Sequence, residues 1–440
     1  MAARWRQVWM IAVCVVLAAC QPARAATPPN IVVIVFDDLG YGDIGAYGAS
    51  RIATPHLDAL ASEGLVMTDF YAGANVCTPS RAALLTGKYA ARVGLAKSVM
   101  FPHNTGGLAP EHVTIAEVLK ARGYATGMVG KWHLGTKAPY WPTHQGFDFF
   151  YGVPHSNDMS PFPVLRGEDV VEPEADQTTL TQRLTNEAIG FVNQNKEAPF
   201  FLYFAHTMPH VPLYTAKEFR GTSDAGLYGD VVQFIDAEVG RLMAALQEWG
   251  LKDNTLVIVT SDNGPWFEGS AGAFRGNKGM SLEGGVRVPL IASWPARIPK
   301  ASRTDAIGMG IDLLPTVAAV AGTPVTHAID GKSLLSTWTK GEPTPHDHLL
   351  LFEGTEVSGV RTQEWKFVSR MYYQKWDVRF DDEKFPQFNR PGLLFSMTGP
   401  DPERYSVALE NPEVVQRLYG VVQNARTTYT VPFKDARNAP

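Results

Sequence analysis

Cys77 opens the stretch Cys77-Thr78-Pro79-Ser80-Arg81-Ala82-Ala83-Leu84-Leu85-Thr86-Gly87. Pro79 suits the first position of a helix, where its missing N–H would go unpaired anyway. Ala82 to Leu85 favour helix, and Gly87 can end it. The spacing therefore predicts a thiol at or just before a helix N-terminus. Free N–H groups and the positive dipole end attract an anion there. Arg81, about one turn on, adds a fixed cation with a fork for oxyanions. Three readings follow: a reactive side chain aimed at a bound anion, an unmodified thiolate nucleophile activated by the helix end and Arg81, or a buried cysteine in front of an ordinary helix.

The elements that must position this chemistry are strands. Ile31 to Phe36 is an unbroken apolar run, the pattern of a parallel-sheet strand buried on both faces. It ends in Asp37-Asp38-Leu39-Gly40-Tyr41-Gly42-Asp43. Two adjacent carboxylates at a buried strand end repel each other, and a hard divalent cation is their natural counterpart. Thr255 to Thr260 is a similar strand ending in Ser261-Asp262-Asn263-Gly264. Alone that tetrapeptide is an ordinary turn. Beside Asp37-Asp38 it becomes a second set of oxygen ligands, because parallel strands bring their carboxyl ends together. Tyr124 to Val129 leads into Gly130-Lys131-Trp132-His133-Leu134-Gly135, which offers a point charge and a proton carrier. Pro199 to Ala205 leads into His206-Thr207-Met208-Pro209-His210.

The Cys77 stretch is similar to the signature of the sulfatase family, Cys-x-Pro-Ser-Arg-x-x-x-Leu-Thr-Gly, without a break. The resemblance extends over roughly residues 30 to 335, about two-thirds of the chain. It implies that Cys77 is oxidised after translation to formylglycine by a separate formylglycine-generating enzyme. One hydroxyl of the hydrated aldehyde then attacks sulfur and expels the alcohol, and sulfate leaves as the aldehyde re-forms. The likeness further implies Asp37, Asp38, Asp262 and Asn263 as metal ligands, together with residue 77 itself. The ion would be one calcium per chain, with magnesium also suited to hard oxygen donors. Lys131 and His133 would contact formylglycine or sulfate, and Lys278 matches a sulfate-binding lysine. His210 matches a substrate-contacting histidine. Ser156 is the polar sulfate contact chosen from the loop 152–158, which otherwise reads as plain turn chemistry. His206 is either structural or part of the leaving-group pocket. Glu283 and Arg287 read as structural partners. The implied fold is alkaline-phosphatase-like α/β: a large mixed, mostly parallel sheet flanked by helices, with a small C-terminal antiparallel α+β domain.

Bulk properties agree with an enzyme. The 440 residues are 45% apolar and 19% charged, and the net charge of -5 argues against a nucleic-acid surface. Arg4 and Arg6 precede an apolar run from Val8 to Ala19, a targeting segment too short for a comfortable span. Ala23-Arg24-Ala25 resembles a signal-peptidase site, whereas Leu17-Ala18-Ala19-Cys20 resembles a lipoprotein box and matches at four positions. Either ending exports the chain to the periplasm, to the outer membrane through a lipid on Cys20, or to the medium. Cys14, Cys20 and Cys77 are the three cysteines, so export leaves Cys77 without a disulfide partner.

Boundaries are expected at residues 1–26 for the signal segment, 27–345 for the catalytic domain and 346–440 for the small domain. Within these, Thr54 reads as the N-cap of a helix starting at Pro55, and Leu65 to Tyr71 as one strand. Tyr228 to Trp249 is the strongest helix, and Pro412 to Asn424 a terminal one. The oligomeric state and the natural substrate are not legible. The function implied is hydrolysis of sulfate monoesters, aryl or carbohydrate. The alternatives are a phosphate or phosphonate monoester hydrolase on the same scaffold and a non-catalytic protein that binds sulfated glycans.

Overall fold

The computed structural model describes residues 28–373, 376–380, 391–399, 402–430 and 433–438. The targeting segment with Cys14 and Cys20 lies outside them, as does much of the aromatic-rich stretch 372–400. Among the described residues no helix is long and apolar enough to cross a membrane.

Ten strands form one mixed sheet. Its centre is the strand Asn30–Phe36, whose seven residues are all buried. That strand runs parallel to Thr255–Ser261 on one side and to Phe200–Ala205 on the other. Ala125–Lys131 and Phe149–Val153 extend the parallel block. Leu290–Ser293 closes one side antiparallel, and Val164–Arg166 the other. The sheet is therefore alkaline-phosphatase-like, large and mostly parallel, as expected. Alternate residues of the central strand feed two apolar cores: Ile31, Val33 and Val35 face one, and Val32, Ile34 and Phe36 the other. The helices Gln177–Asn195 and Gly226–Glu248 cover the second face, with Leu180, Leu184, Val231, Ile235 and Leu242 fully buried. Loss of water from such surface contributes about 25 cal/mol per Å² and fixes the register of the strands.

A second sheet of four antiparallel strands follows: Leu349–Glu353, Glu356–Arg361, Trp365–Val368 and Leu393–Ser396. The helix Pro412–Tyr429 packs on it through Val415, Leu418 and Val422. It runs five residues beyond the expected Asn424. The core under this sheet also takes in Tyr71, Tyr89, Val286, Met309 and Ile311 from the larger part of the molecule. Packing is thus continuous across residue 345.

Two local expectations are corrected and a third is refined. The run from Leu65 to Tyr71 is two strands, Leu65–Met67 and Phe70–Tyr71, in different sheets. It breaks at Asp69, which is drawn to Arg287 and Arg361. Thr54 holds the N-cap position of the helix Pro55–Ser62 as expected, but its hydroxyl makes no bond to the helix amides and accepts from the amide of Gly45. The open amides of His56 and Leu57 donate instead to the Asp236 carboxylate on the facing helix, at 3.1 and 2.8 Å. Pro79 sits two residues inside its helix, which starts at Cys77 itself.

Candidate active site

The helix Cys77–Thr86 is buried throughout and ends at Gly87, whose φ of 66° is the left-handed cap that glycine adopts without strain. Its N-terminus points at the carboxyl ends of the central strands. Cys77 Sγ lies 3.6 Å from Asp37 Oδ1. Burial pushes the Cys77 thiol up to about 12, against the pull of Lys131 and Lys278. That environment keeps an unmodified Cys77 as the thiol and disfavours the thiolate reading.

Three buried carboxylates each meet a cation. Lys131 Nζ is 2.6 Å from Asp37 Oδ2. Lys278 Nζ is 2.7 Å from Asp38 Oδ1. Arg81 places Nη2 2.8 Å and Nε 2.9 Å from Asp262 Oδ2, while Nη1 donates to the Lys131 carbonyl. Burial alone would raise the Asp37 carboxyl, but Lys131, His210, Arg81 and Lys278 together hold it well below the usual range. The cations expected to surround sulfate are thus anchored by the acids expected to hold metal. Gly130 sets their position: it has φ 110°, and a Cβ there would come within 1.7 Å of the Ala205 carbonyl oxygen. Only glycine lets these two strands approach just before Lys131.

Asp37, Asp38, Cys77 and His210 present ligand atoms all within 4.8 Å of one another. This grouping differs from the expected ligand set in two ways. Among the acid, thiol and imidazole groups it brings in His210, and it does not include Asp262. Both Asp262 oxygens are occupied, Oδ2 by Arg81 and Oδ1 by the Asp38 amide at 3.2 Å. Asn263 Nδ2 donates to Asp38 Oδ1 at 2.7 Å, and its carbonyl Oδ1 is buried with no hydrogen-bond partner. A buried carbonyl oxygen left unpaired beside two carboxylates fits a hard cation, since leaving it so costs about 1–3 kcal/mol. Asp38 has φ 66°, a strained conformation for a non-glycine residue.

The two histidines are differently set. His210 Nδ1 faces two acceptors, Asn157 Oδ1 at 3.0 Å and the Val211 carbonyl, so Nδ1 carries the hydrogen. Its Nε2 faces Ser156 Oγ at 3.3 Å and Asp38 Oδ2 at 3.6 Å. Ser156 Oγ also accepts from Lys131 Nζ at 3.0 Å. His133 has the reverse arrangement. Its Nε2 lies 2.9 Å from the Met100 carbonyl, so Nε2 carries the hydrogen and Nδ1 keeps a buried, unpartnered lone pair. Burial first, then Lys131, depresses the His133 pKa well below its ordinary value, which keeps the ring neutral.

A cavity of about 360 Å³ opens over this floor, lined by Asp38, Cys77, His133, Ser156, His210 and Lys278 among others. His206 is not among its lining residues. Its ring packs against Phe204 and Phe36 at 4.2 and 5.1 Å, and burial lowers its pKa to about 3. The reading of His206 as a substrate contact is therefore corrected to a packing role. Five contributors escaped the sequence. Thr78 Oγ1 donates to the His133 carbonyl and accepts from the Met100 amide, which fixes the His133–Met100 pairing. Asn157 orients His210. Phe101, Asp158 and Trp266 form part of the rim. Thr78 lies inside the signature stretch, but the rim residues belong to loops without periodicity.

A buried, charged floor at the strand ends, facing a cavity with cationic and histidine donors, suits an anionic ligand. Residues 29–323 match the Sulfatase family, and residues 272–389 match the N-sulphoglucosamine sulphohydrolase C-terminal family. The chain is 38% identical to human arylsulfatase A over 91% of its own length and 88% of that protein's. It is 34% identical to N-acetylgalactosamine-6-sulfatase of Canis lupus familiaris, over 96% and 90%. A solved structure described under glycosaminoglycan metabolism by Bacteroides thetaiotaomicron superposes with a TM-score of 0.82 at 28% identity, covering 91% of this chain and all of that one. The chain belongs to the sulfatase family and is a sulfuric ester hydrolase.

Proposed function

We propose that the protein hydrolyses sulfate monoesters of carbohydrates, with model aryl sulfates as accessible substrates, through a formylglycine formed at Cys77. The observation that carries this is the convergence of residue 77, Lys278 and two oppositely tautomeric histidines on one cavity, with Lys131 and Arg81 anchored to Asp37 and Asp262 in the buried floor. Converted to formylglycine, residue 77 would supply a geminal hydroxyl as nucleophile. Calcium, or magnesium, held by Asp37, Asp38 and Asn263 with Asp262 adjoining, would supply Lewis-acid polarisation and the positive charge that the floor lacks. The acids Asp37, Asp38 and Asp262 number as many as the cations Arg81, Lys131 and Lys278, so the floor is close to neutral without it.

The chain's own groups divide the remaining work. Lys131 and Lys278 offer donors to sulfuryl oxygens, where charge grows in the transition state. Arg81 binds Asp262 and the Lys131 carbonyl and so holds the helix N-terminus on the strand ends. His210 and Ser156 line the cavity and would meet the departing ester oxygen, with His210 as the proton donor to it. His133 presents its Nδ1 lone pair to accept a proton from a hydroxyl on residue 77. The burial of these groups strengthens each interaction relative to water.

Export to the periplasm or beyond, with a lipid on Cys20 as one outcome, belongs to this reading, as does maturation by a formylglycine-generating enzyme. The test is turnover of p-nitrophenyl sulfate against p-nitrophenyl phosphate by purified, matured protein with calcium. Sulfate should be preferred, and Cys77→Ala should abolish turnover. A phosphate preference would assign the same floor to phosphoryl transfer. Binding of sulfated sugars without turnover of any ester would assign it to a lectin-like role.

A further inference from the structure

The rim of the cavity has its own chemistry. Phe101 and Trp266 are 41% and 39% exposed, and both line the opening above the floor. Their place at the mouth of the cavity puts both rings where a bound molecule would meet them. Both rings are carried by segments tied to the floor. Phe101 follows Met100, whose amide is held by Thr78 and whose carbonyl meets His133. Its own amide donates to Asn104 Oδ1 at 2.7 Å. Trp266 follows Pro265, whose carbonyl accepts from the Lys278 amide at 2.9 Å. The Trp266 carbonyl in turn accepts from the Gly269 amide. Both aromatic segments are therefore tied by hydrogen bonds to Thr78, His133 and Lys278 of the site.

Beside them the lining carries Asp158, exposed, and Ser98. Apolar ring faces next to a carboxylate and a hydroxyl match a pyranose. Its C–H face lies on an aromatic ring, and its hydroxyls donate to a carboxylate acceptor. An aryl ring uses the aromatic faces but offers Asp158 no donor. A neighbouring carboxylate or second sulfate on the substrate would meet Asp158 as a like charge.

We infer that Phe101, Trp266 and Asp158 form the leaving-group subsite, and that they select a neutral pyranose carrying a single sulfate. This rests on the sulfate-ester reading above. Asp158 specifies substrate without touching the sulfuryl group, so its replacement should move specificity rather than chemistry.

The experiment compares wild type, Asp158→Asn, Phe101→Ala and Trp266→Ala on p-nitrophenyl sulfate, galactose 6-sulfate, N-acetylgalactosamine 6-sulfate and a disulfated hexose, with thermal melting to confirm folding. Asp158→Asn should lower kcat/KM on the preferred monosulfated sugar by about tenfold more than on p-nitrophenyl sulfate, and improve the disulfated hexose relative to the monosulfated one. The two aromatic replacements should weaken sugar and aryl substrates alike, chiefly through KM. Equal losses by Asp158→Asn on sugar and aryl sulfates, no loss on either, or wild-type preference for the disulfated hexose would overturn the subsite. Failure of wild type on every sulfate ester would instead overturn the underlying reading.

Discussion

Two buried charge networks stand a short distance apart in this molecule. At the strand ends, Asp37, Asp38 and Asp262 face Arg81, Lys131 and Lys278. Behind them, Glu283, Glu403 and Asp69 face Arg287, Arg361 and Lys366. The acid and base counts are the same, and the burial is similar. In the second network the partners close on one another. Lys366 Nζ bridges Glu283 at 2.9 Å and Glu403 at 2.7 Å, and Tyr71 Oη links Arg361 to Glu283. With Tyr71, its members join the small C-terminal sheet to the short sheet that holds Phe70–Tyr71 and to the segment 283–287. The first network leaves Asn263 Oδ1 and His133 Nδ1 unpaired and opens on a cavity. Charge that is sealed locks two sheets together, whereas charge with unspent donors and acceptors is a place for a ligand.

Breaking the open network should cost activity and little stability. Cys77→Ala should reduce sulfate-ester turnover by more than about 10³-fold and shift unfolding by no more than about 1–2 kcal/mol. Initial rates and urea unfolding check the two halves. Asn263→Ala should weaken calcium binding at least about tenfold. Thermal melting during a calcium titration reads this without recourse to activity: chelation should lower the wild-type midpoint and barely move the variant's.

Breaking the sealed network should do the opposite. Lys366→Met strands two carboxylates in a dry interface and should cost about 3–5 kcal/mol in urea unfolding, with kcat of the folded fraction within about twofold of wild type. A loss of kcat as large as that of Cys77→Ala would erase the distinction.

The smallest effect sharpens the contrast from outside both networks. Burial raises the Asp236 carboxyl to about 6, against its hydrogen bonds from the Leu57 and His56 amides. The folded state therefore binds its proton more tightly than the unfolded chain. This contribution is fully present below about pH 4 and is lost as pH rises through about 6. Asp236→Asn should flatten that slope by about 1–3 kcal/mol, measured by urea unfolding from pH 4 to 7 with chelator throughout.

The sequence showed the floor far better than the rim. Asp37, Asp38, Lys131 and Asp262 end buried strands, so a run of apolar residues announces where each side chain must point. Cys77 to Gly87 is a local helix with its stop built in. The interlocking was not legible, because it arises where distant segments meet. Asp262 is fixed by Arg81, 181 residues away. The open amides of the helix at Pro55 are met by Asp236 rather than by the Thr54 hydroxyl, and His206 is absorbed by Phe36 and Phe204. Phe101, Asp158 and Trp266 sit on loops whose placement depends on contacts to the floor, and no period in the chain signals them.

The account depends most on the chemical state of residue 77. Mass spectrometry of the tryptic peptide ending at Arg81, taken from an enzymatically active preparation, measures it directly. The expected result is the mass of an aldehyde in place of the thiol, in proportion to activity. Full activity in a preparation whose Cys77 is entirely unmodified thiol would contradict it.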